Sequence, residues 1–265
     1  MTHILYRYRP LANDDDCQYL LDVFKNNRLF CPAPGLFNDP FECRAKISFS
    51  APESMKTERA KCQLLREVVT ETGDALDRLA EPKWRDMEAR GEQPFLKWLR
   101  EDTGVVSFAA IPNDLLMWSH YASQHTGVCI RFEAVTESHV DFFAQIFPVR
   151  YQDALPEINF YTTPELEKLH AYILTKSRHW CYEQEWRRIV VANKQPRFLP
   201  IPPGVVSAIY LGCRIKESIR EAILSAAQQS PTCSCLNVFQ AELSPDSYSL
   251  TFVPLGGHSA TPGPK

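Results

Sequence analysis

The stretch from Val105 to Phe132, VVSFAAIPNDLLMWSHYASQHTGVCIRF, decides the fold class of this chain. Val105 to Ala109 is a short apolar run typical of a strand, and Val128 to Phe132 is another. Between them a helical stretch begins at Pro112-Asn113 and runs through Trp118 to Ala122. Strands and helices alternate here without regular βαβ spacing and without a Gly-rich phosphate loop. We therefore predict an α+β fold with a small mixed or antiparallel sheet, and not a doubly wound dinucleotide-binding sheet.

Working outward from this stretch, the same two periodicities predict most of the remaining elements. Ile4 to Arg9 alternates in the manner of a strand, which places Arg7 and Arg9 on one face, and Pro10 ends it. Thr163-Pro164 begins a helix that we expect to run to about Trp180. The other predicted elements are a helix from the acidic cluster 14–16 to Asn26-Asn27, a helix 218–227, strands 28–31, 147–151, 185–191 and 205–211, and a hairpin of 236–243 with 248–253.

One region differs from the rest in its period and its charge. Residues 52–103 have helical periodicity, many charged side chains, and breaks at Gly73, Pro82, Gly91 and Pro94. We predict that this region is a helical lobe inserted into a single domain of residues 1–255. Residues 256–265 are rich in Gly, Pro and Ser, and we expect a disordered tail.

Composition excludes several protein classes. Of the 265 residues 45% are apolar and 23% are charged, which is typical of a globular protein and not of a disordered or fibrous one. We expect a cytoplasmic protein. The N-terminus has no apolar stretch of signal-peptide length, and no later run approaches the roughly 18 uncharged residues that a membrane helix needs. Nine scattered cysteines fit reduced thiols better than disulfides, and we expect no structural metal. The net charge of −3 does not indicate a nucleic-acid partner.

The block from Lys176 to Arg188 is the first candidate for chemistry. In an extended segment Glu183, Glu185 and Arg187 project to one side and alternate with Trp186 and Arg188. A carboxylate held among aromatic rings beside a guanidinium can stabilise a developing cation or orient a hydroxyl group. A surface ladder of ion pairs on a half-buried strand explains the same pattern and stays open.

Two further blocks combine polar and aromatic residues. In the block 117–127, Trp118, Tyr121 and His125 could bind a ring ligand and His120 could titrate near neutral pH, although helical spacing also fits a core position. Asn38-Asp39-Pro40, followed by Glu42, is a strong turn former by itself. Arg7 and Arg9 on an apolar strand need an anionic partner, and a ligand phosphate would serve.

Four ordered groups of residues carry a family resemblance. They are Leu5-Tyr6-Arg7-Tyr8-Arg9, then Phe37-Asn38-Asp39-Pro40-Phe41-Glu42, then Met117-Trp118-Ser119-His120-Tyr121-Ala122 with His125 and Gly127, and finally Val149-x-Tyr151 with Lys176 and Trp180-x-Tyr182-Glu183-x-Glu185-Trp186-Arg187. Together they resemble the bacterial family called domain of unknown function 2971, over about residues 5–212. This resemblance names a family without naming an activity.

A weaker resemblance is to the ADP-ribosyltransferase superfamily. It implies that Arg7 holds the pyrophosphate or ribose of NAD, that Tyr121 and Trp118 stack on nicotinamide, and that Glu185 binds the ribose hydroxyl and stabilises an oxocarbenium-like transition state. The sequence departs from that superfamily after the second strand, where Cys31-Pro32-Ala33-Pro34 stands in place of Ser-Thr-Ser.

Three functional hypotheses follow. The first is an enzyme that consumes NAD, by ADP-ribosyl transfer or hydrolysis, in a toxin or anti-phage setting. The second is a metal-dependent nuclease or phosphoesterase in which Asp39, Glu42, Glu183 and Glu185 gather Mg²⁺. The third is a sensor that binds a nucleotide without turnover. The predicted catalytic residues are Glu185, Glu183 and His120, and the predicted binding residues are Arg7, Arg9, Asn38, Asp39, Glu42, Trp118, Ser119, Tyr121, His125, Lys176 and Arg187, all meeting in one cleft.

Overall fold

The computed structural model describes residues 4–66, 74–91, 93–191, 197–229 and 236–255. The helices within these ranges are α1 (Asp14–Asn26), α2 (Glu53–Arg66), α3 (Asp74–Arg90), α4 (Gln93–Asp102), α5 (Leu115–Tyr121), α6 (Glu137–Phe143), α7 (Glu165–Ile173) and α8 (Glu217–Gln229). Short 3-10 helices cover Pro34–Leu36 and Arg178–Glu183. The chain divides into two compact units, the first of residues 1–32, 104–149 and 179–265, and the second of residues 33–103 and 150–178.

The strands are short and mostly antiparallel. They are β1 (Ile4–Arg9), β2 (Arg28–Phe30), β3 (Lys46–Ser48), β4 (Thr103–Ala109), β5 (Val128–Glu133), β6 (Ile146–Pro148), β7 (Arg150–Gln152), β8 (Glu157–Asn159), β9 (Thr175–Ser177), β10 (Glu185–Val191), β11 (Phe198–Pro200), β12 (Val206–Leu211), β13 (Asn237–Leu243) and β14 (Leu250–Pro254). The predicted α+β class is confirmed.

The first unit is built on one mixed sheet of eight strands in the order β14-β13-β12-β5-β1-β4-β10-β6. Its size exceeds the small sheet that we predicted. β1 pairs antiparallel with β5 along its whole length, so that Arg7 lies opposite Ile130. β12 and β13 pair in parallel, which makes the sheet mixed.

Alternation along the strands gives this sheet two apolar faces. Leu5 joins a large core cluster with Phe24 of α1, Phe142 of α6 and Ile223 of α8. Tyr8 lies an odd number of residues after Leu5 and therefore on the other face. It belongs to a second cluster with Trp118 of α5. Helices therefore cover both faces, and the side of α5 is the side of the second cluster.

Two glycines permit a close crossing of backbones beside α5. A Cβ atom on Gly127 would lie 2.2 Å from the carbonyl oxygen of Arg9, and one on Gly212 would lie 2.1 Å from that of His125. Just before Gly127, the residues Ser123, Gln124 and His125 all have positive φ, of 47°, 55° and 69°. This left-handed turn is held by the amide of Gly127, which donates to the carbonyl of Ala122.

The second unit contains the region that we predicted to be helical. α2, α3 and α4 lie within residues 52–103, and α2 packs against α3. The unit also includes α7 and two small parallel sheets, β3 with β8 and β7 with β9. No helix in the described ranges is both long and apolar enough to span a membrane. The predicted tail 256–265 lies outside the described residues.

Two predicted elements are wrong in their extent. The helix expected to reach Trp180 ends at Ile173, because Thr175–Ser177 pairs in parallel with Arg150–Gln152. The strand expected over 147–151 consists of β6 and β7, and between them the amide of Val149 donates to the carbonyl of Glu185. Pairing between distant segments decides both outcomes.

Candidate functional site

Two carboxylates that flank a strained residue form the centre of the candidate site. Glu183 and Glu185 are only 2% and 7% exposed, whereas the side chain of Gln184 between them is exposed. Gln184 has a φ of 44°, in the left-handed region that non-glycine residues rarely adopt. Its carbonyl accepts a hydrogen bond from the amide of Ala110. Backbone strain of this kind persists only where its surroundings fix it, and it is concentrated at functional sites.

Glu183 lies at the end of a 3-10 helix and receives a hydrogen bond from α5. The phenolic oxygen of Tyr121 donates to Oε1 of Glu183 at 2.5 Å. A buried carboxylate requires donors of this kind, because burial disfavours its charge. The blocks 117–127 and 176–188 therefore meet directly in the first unit.

Glu185 begins β10 and is held by Arg187 two residues later. Nε and Nη2 of Arg187 donate to the two oxygens of Glu185, each at 2.8 Å. Arg187 is 1% exposed, so this bidentate pair is shielded from water. Arg187 and Glu185 thus share a side of β10, as strand alternation predicts. The pair fixes the orientation of the Glu185 carboxylate.

An imidazole within a group of aromatic rings contacts Tyr182, the residue that precedes Glu183. Nδ1 of His120 is 3.0 Å from the hydroxyl of Tyr182. The ring of His120 also contacts those of Tyr121 and Trp180, with centroids 6.2 Å and 6.5 Å apart. His120 is exposed to solvent, unlike the buried core residue that helical spacing also allowed. It can therefore exchange protons with water.

The predicted stacking role of Trp118 is wrong. This residue is completely buried in the second core cluster, and its indole N–H donates to the carbonyl of Pro112. Its ring stacks instead on that of His125, with centroids 6.2 Å apart. His125 lies 3.2 Å from the hydroxyl of Ser119, and burial lowers the pKa of its imidazole. These three residues stabilise the left-handed turn after α5.

Arg7 and Arg9 project from β1 on the face of Leu5. Nη1 of Arg7 donates to the carbonyl of Ser107, and burial, together with the charge of Arg9, lowers the pKa of Arg7 to about 9. Glu185 opposes that shift. Because Trp186 packs against the same cluster as Leu5, alternation puts Glu185 and Arg187 on the opposite face. The charges of Arg7 and Glu185 therefore interact from opposite faces of the sheet.

The residues from Asn38 to Glu42 contribute a turn and one side of a buried ion pair to the second unit. Oδ1 of Asp39 accepts from the amide of Phe41, as expected of a turn former, and Asn38 is exposed. Nζ of Lys176 lies 2.9 Å from Oε1 of Glu42, and both side chains are 3% exposed. The predicted binding residues Glu42 and Lys176 are thus direct partners. Arg7 and Arg9 lie on the face of the sheet opposite that of Glu185, and the meeting of residues 37–42 with the blocks 117–127 and 176–188 stays a prediction.

Sequence reasoning missed two features of the site. The left-handed backbone of Gln184 has no local signature, since Gly or Asn is the usual residue in that region. Arg188 was noted only for its alternation with Trp186, yet its Nε and Nη1 are buried without a hydrogen-bond partner. Alternation along β10 could have indicated this, since it puts Arg188 on the face of Leu5 and Cys31. An arginine directed into a core needs a partner.

The described part of the chain contains no group of three His, Cys, Asp or Glu side chains arranged to hold a metal ion. Two carboxylates of the proposed Mg²⁺ set, Glu42 and Glu185, are each paired with a cationic side chain.

Comparison with known proteins finds a match to one family model over part of the chain and names no activity. No curated protein and no solved structure matches the chain. A family model described as protein of unknown function (DUF2971) matches residues 117–188. That segment contains Tyr121, Glu183, Glu185 and Arg187, the residues joined by the contacts described above. The resemblance of this chain to the DUF2971 family is confirmed over residues 117–188.

Proposed function

We propose that the protein is an enzyme that consumes NAD by cleaving the bond between nicotinamide and ribose. ADP-ribose then passes to a macromolecular acceptor or to water. The observation that carries the proposal is the pair of buried carboxylates, Glu183 and Glu185, held on either side of the strained Gln184. Buried, preorganised charges of this kind suit a reaction whose transition state develops a positive charge.

The chemistry follows from the polarity of the glycosidic bond. As the bond from ribose C1′ to the nicotinamide nitrogen breaks, its electron pair leaves with nicotinamide and positive charge develops on the ribose. A nearby carboxylate stabilises that charge, and its effect is stronger where water is excluded. Arg187 orients Glu185, and Tyr121 orients Glu183. The nucleophile then forms a new bond to C1′, and its proton passes to a general base.

His120 is the proposed proton carrier. It is exposed, and its Nδ1 contacts the hydroxyl of Tyr182, which can fix the ring orientation. Tyr121, Tyr182 and Trp180 supply aromatic surface near this imidazole. Such surface suits a flat ring such as nicotinamide. Cytoplasmic NAD is the proposed substrate pool, and its depletion would suit the proposed role as a toxin or anti-phage effector.

The direct test is to incubate the pure protein with NAD and to quantify nicotinamide and ADP-ribose by chromatography, with and without a metal chelator. We expect nicotinamide release that the chelator does not abolish. Cleavage of nucleic acid or of a phosphoester that stops on chelation would support the metal-dependent hypothesis instead. A rise in the melting temperature with NAD but no nicotinamide release would identify a sensor.

A further inference from the structure

The second unit contains a cavity of about 300 Å³ formed by side chains of α2, α3, α7 and the beginning of α4. Residues of β3 and β8 complete its wall. This volume lies at the lower end of the range of pockets that bind small organic molecules, about 300–1,000 Å³. The cavity belongs to the second unit alone, and the inference drawn from it does not rest on the proposed NAD chemistry.

One part of the wall is apolar and aromatic. Phe95 at the beginning of α4 packs on Tyr172 of α7, with ring centroids 5.0 Å apart and an angle of 43° between the planes. Phe160, Ile47 and Met87 also line the cavity. A wall of rings and branched side chains favours a ligand with a flat apolar body.

The other part of the wall is cationic. Five basic side chains and two acidic ones line the cavity, so positive charge exceeds negative charge by three. The basic side chains are Arg59, Arg66, Lys83, Arg90 and Lys168. One of the two acids, Glu165, is shared between Arg59 and Lys168. The cavity therefore holds more positive charge than its own carboxylates neutralise.

Lys168 is the buried cation of this wall. It is 5% exposed, and its Nζ donates to the carbonyl of Phe160 at 2.7 Å. Burial, and after it the charge of Arg59, lower its pKa to about 8. A buried cation in this situation is stabilised by any additional anion within hydrogen-bonding reach.

We propose that the cavity binds a small amphipathic organic anion, whose apolar body contacts Phe95 and Tyr172 and whose anionic group faces Lys168. The apolar part supplies burial, and the anionic part supplies the charge that Glu165 alone does not. A cation or an uncharged molecule of the same shape would bind more weakly, because neither would compensate the basic side chains.

Two fluorescent probes separate these contributions. Anilinonaphthalene sulfonate carries an apolar body and one negative charge, and phenylnaphthylamine carries the same rings without the sulfonate. Cys62 of α2 lines the cavity and is accessible, whereas Cys181 belongs to the first unit and is also exposed. We expect the sulfonate probe to bind more tightly than the uncharged one and to protect Cys62 from alkylation, with Cys181 as the internal control.

The variants Lys168→Met and Arg66→Gln test the basic wall, and Lys46→Met, an exposed lysine outside the cavity, is the matched control. We expect Lys168→Met to weaken the sulfonate probe about tenfold and to leave the uncharged probe unchanged. Arg66 is exposed at the end of α2, so Arg66→Gln folds even if Lys168→Met does not, and a loss of severalfold is expected. Equal binding of both probes, unprotected Cys62, or an equal loss in Lys46→Met would overturn the proposal.

Discussion

The phenol of Tyr121 donates a hydrogen bond of 2.5 Å to the carboxylate of Glu183, a residue that lies 62 positions later in the chain. This contact joins α5 to the end of the 3-10 helix that precedes β10. It gives a buried acid a donor, and a buried acid without donors would favour its neutral form. The hydroxyl of Tyr121 is therefore part of what keeps Glu183 in place.

We predict that Tyr121→Phe lowers the free energy of unfolding by about 1–3 kcal/mol, because a buried carboxylate loses a donor while the ring is kept. Tyr182→Phe is the control, since its hydroxyl contacts the exposed His120 and its loss should cost no more than about 0.5 kcal/mol. Urea unfolding of the two variants measures the difference. Equal losses would show that the contact with Glu183 contributes nothing.

Glu185→Gln is predicted to reduce nicotinamide release by about a hundred- to a thousand-fold per folded molecule. The structure also predicts a cost in stability for this change. Arg187 is buried and pairs with both oxygens of Glu185, so neutralising Glu185 leaves a buried guanidinium without its anion. We therefore expect a lower melting temperature as well as lower activity.

A double variant separates the two effects. Glu185→Gln combined with Arg187→Met removes both charges, and we expect it to recover much of the lost melting temperature, because the unpaired charge is gone. Turnover should stay low if Glu185 acts on the substrate. Normal turnover in the double variant would reduce the Glu185–Arg187 pair to a structural role. Glu183→Gln, assayed beside it, shows which carboxylate the reaction needs.

The left-handed backbone at Gln184 leads to a prediction about stability that can be tested without an activity assay. Gln184→Val should lower the free energy of unfolding by about 1–3 kcal/mol, since a β-branched side chain is disfavoured at a φ of 44°. Gln184→Gly should leave stability unchanged or raise it, by at most about 1 kcal/mol. Gln152→Val in the short strand β7 is the control, and we expect a change within about 0.5 kcal/mol. Equal effects of the two valine variants would refute the prediction.

The lowered pKa of Lys168 predicts that the stability of the protein depends on pH. Its pKa is lowered from 10.5 to about 8 on folding by burial, with the charge of Arg59 in the same direction and Glu165 as the facing acid. Between these two pH values the unfolded chain holds a proton that the folded chain has lost, so stability should rise with pH. We expect the free energy of unfolding, relative to that of Lys168→Met, to increase from pH 8 to 10.5. A constant difference would contradict the shift.

The parts of the fold that local periodicity specifies were predictable from the sequence. Ile4–Arg9 has the predicted bounds, because its alternation is strict and Pro10 ends it. The extent of α7 was not predictable, because Thr175–Ser177 becomes a strand only by pairing with Arg150–Gln152. α6 was missed altogether, although Thr136 caps it through the amide of His139.

The candidate site also combines features that local sequence specifies with features that only tertiary contacts decide. That Glu185 and Arg187 share a side follows from their spacing on a strand, and the structure pairs them. The contact of Tyr121 with Glu183 joins residues far apart in the chain, so no local pattern could reveal it. Trp118 was misassigned because the local sequence around an aromatic residue in a polar block does not show whether its ring faces a ligand or the core. Tertiary packing decided that case.

The chain passes between the two units after residues 32, 103, 149 and 178. The segment that matches the family model, 117–188, therefore takes part of each unit and all of neither. A fragment cut to that segment would contain β5 but neither β1 nor β12, the strands on its two sides. Both edges of β5 would then present unpaired N–H and C=O groups, which invite aggregation. We therefore expect that the segment 117–188 of this chain does not fold by itself, because the partners of β5 lie on both sides of it.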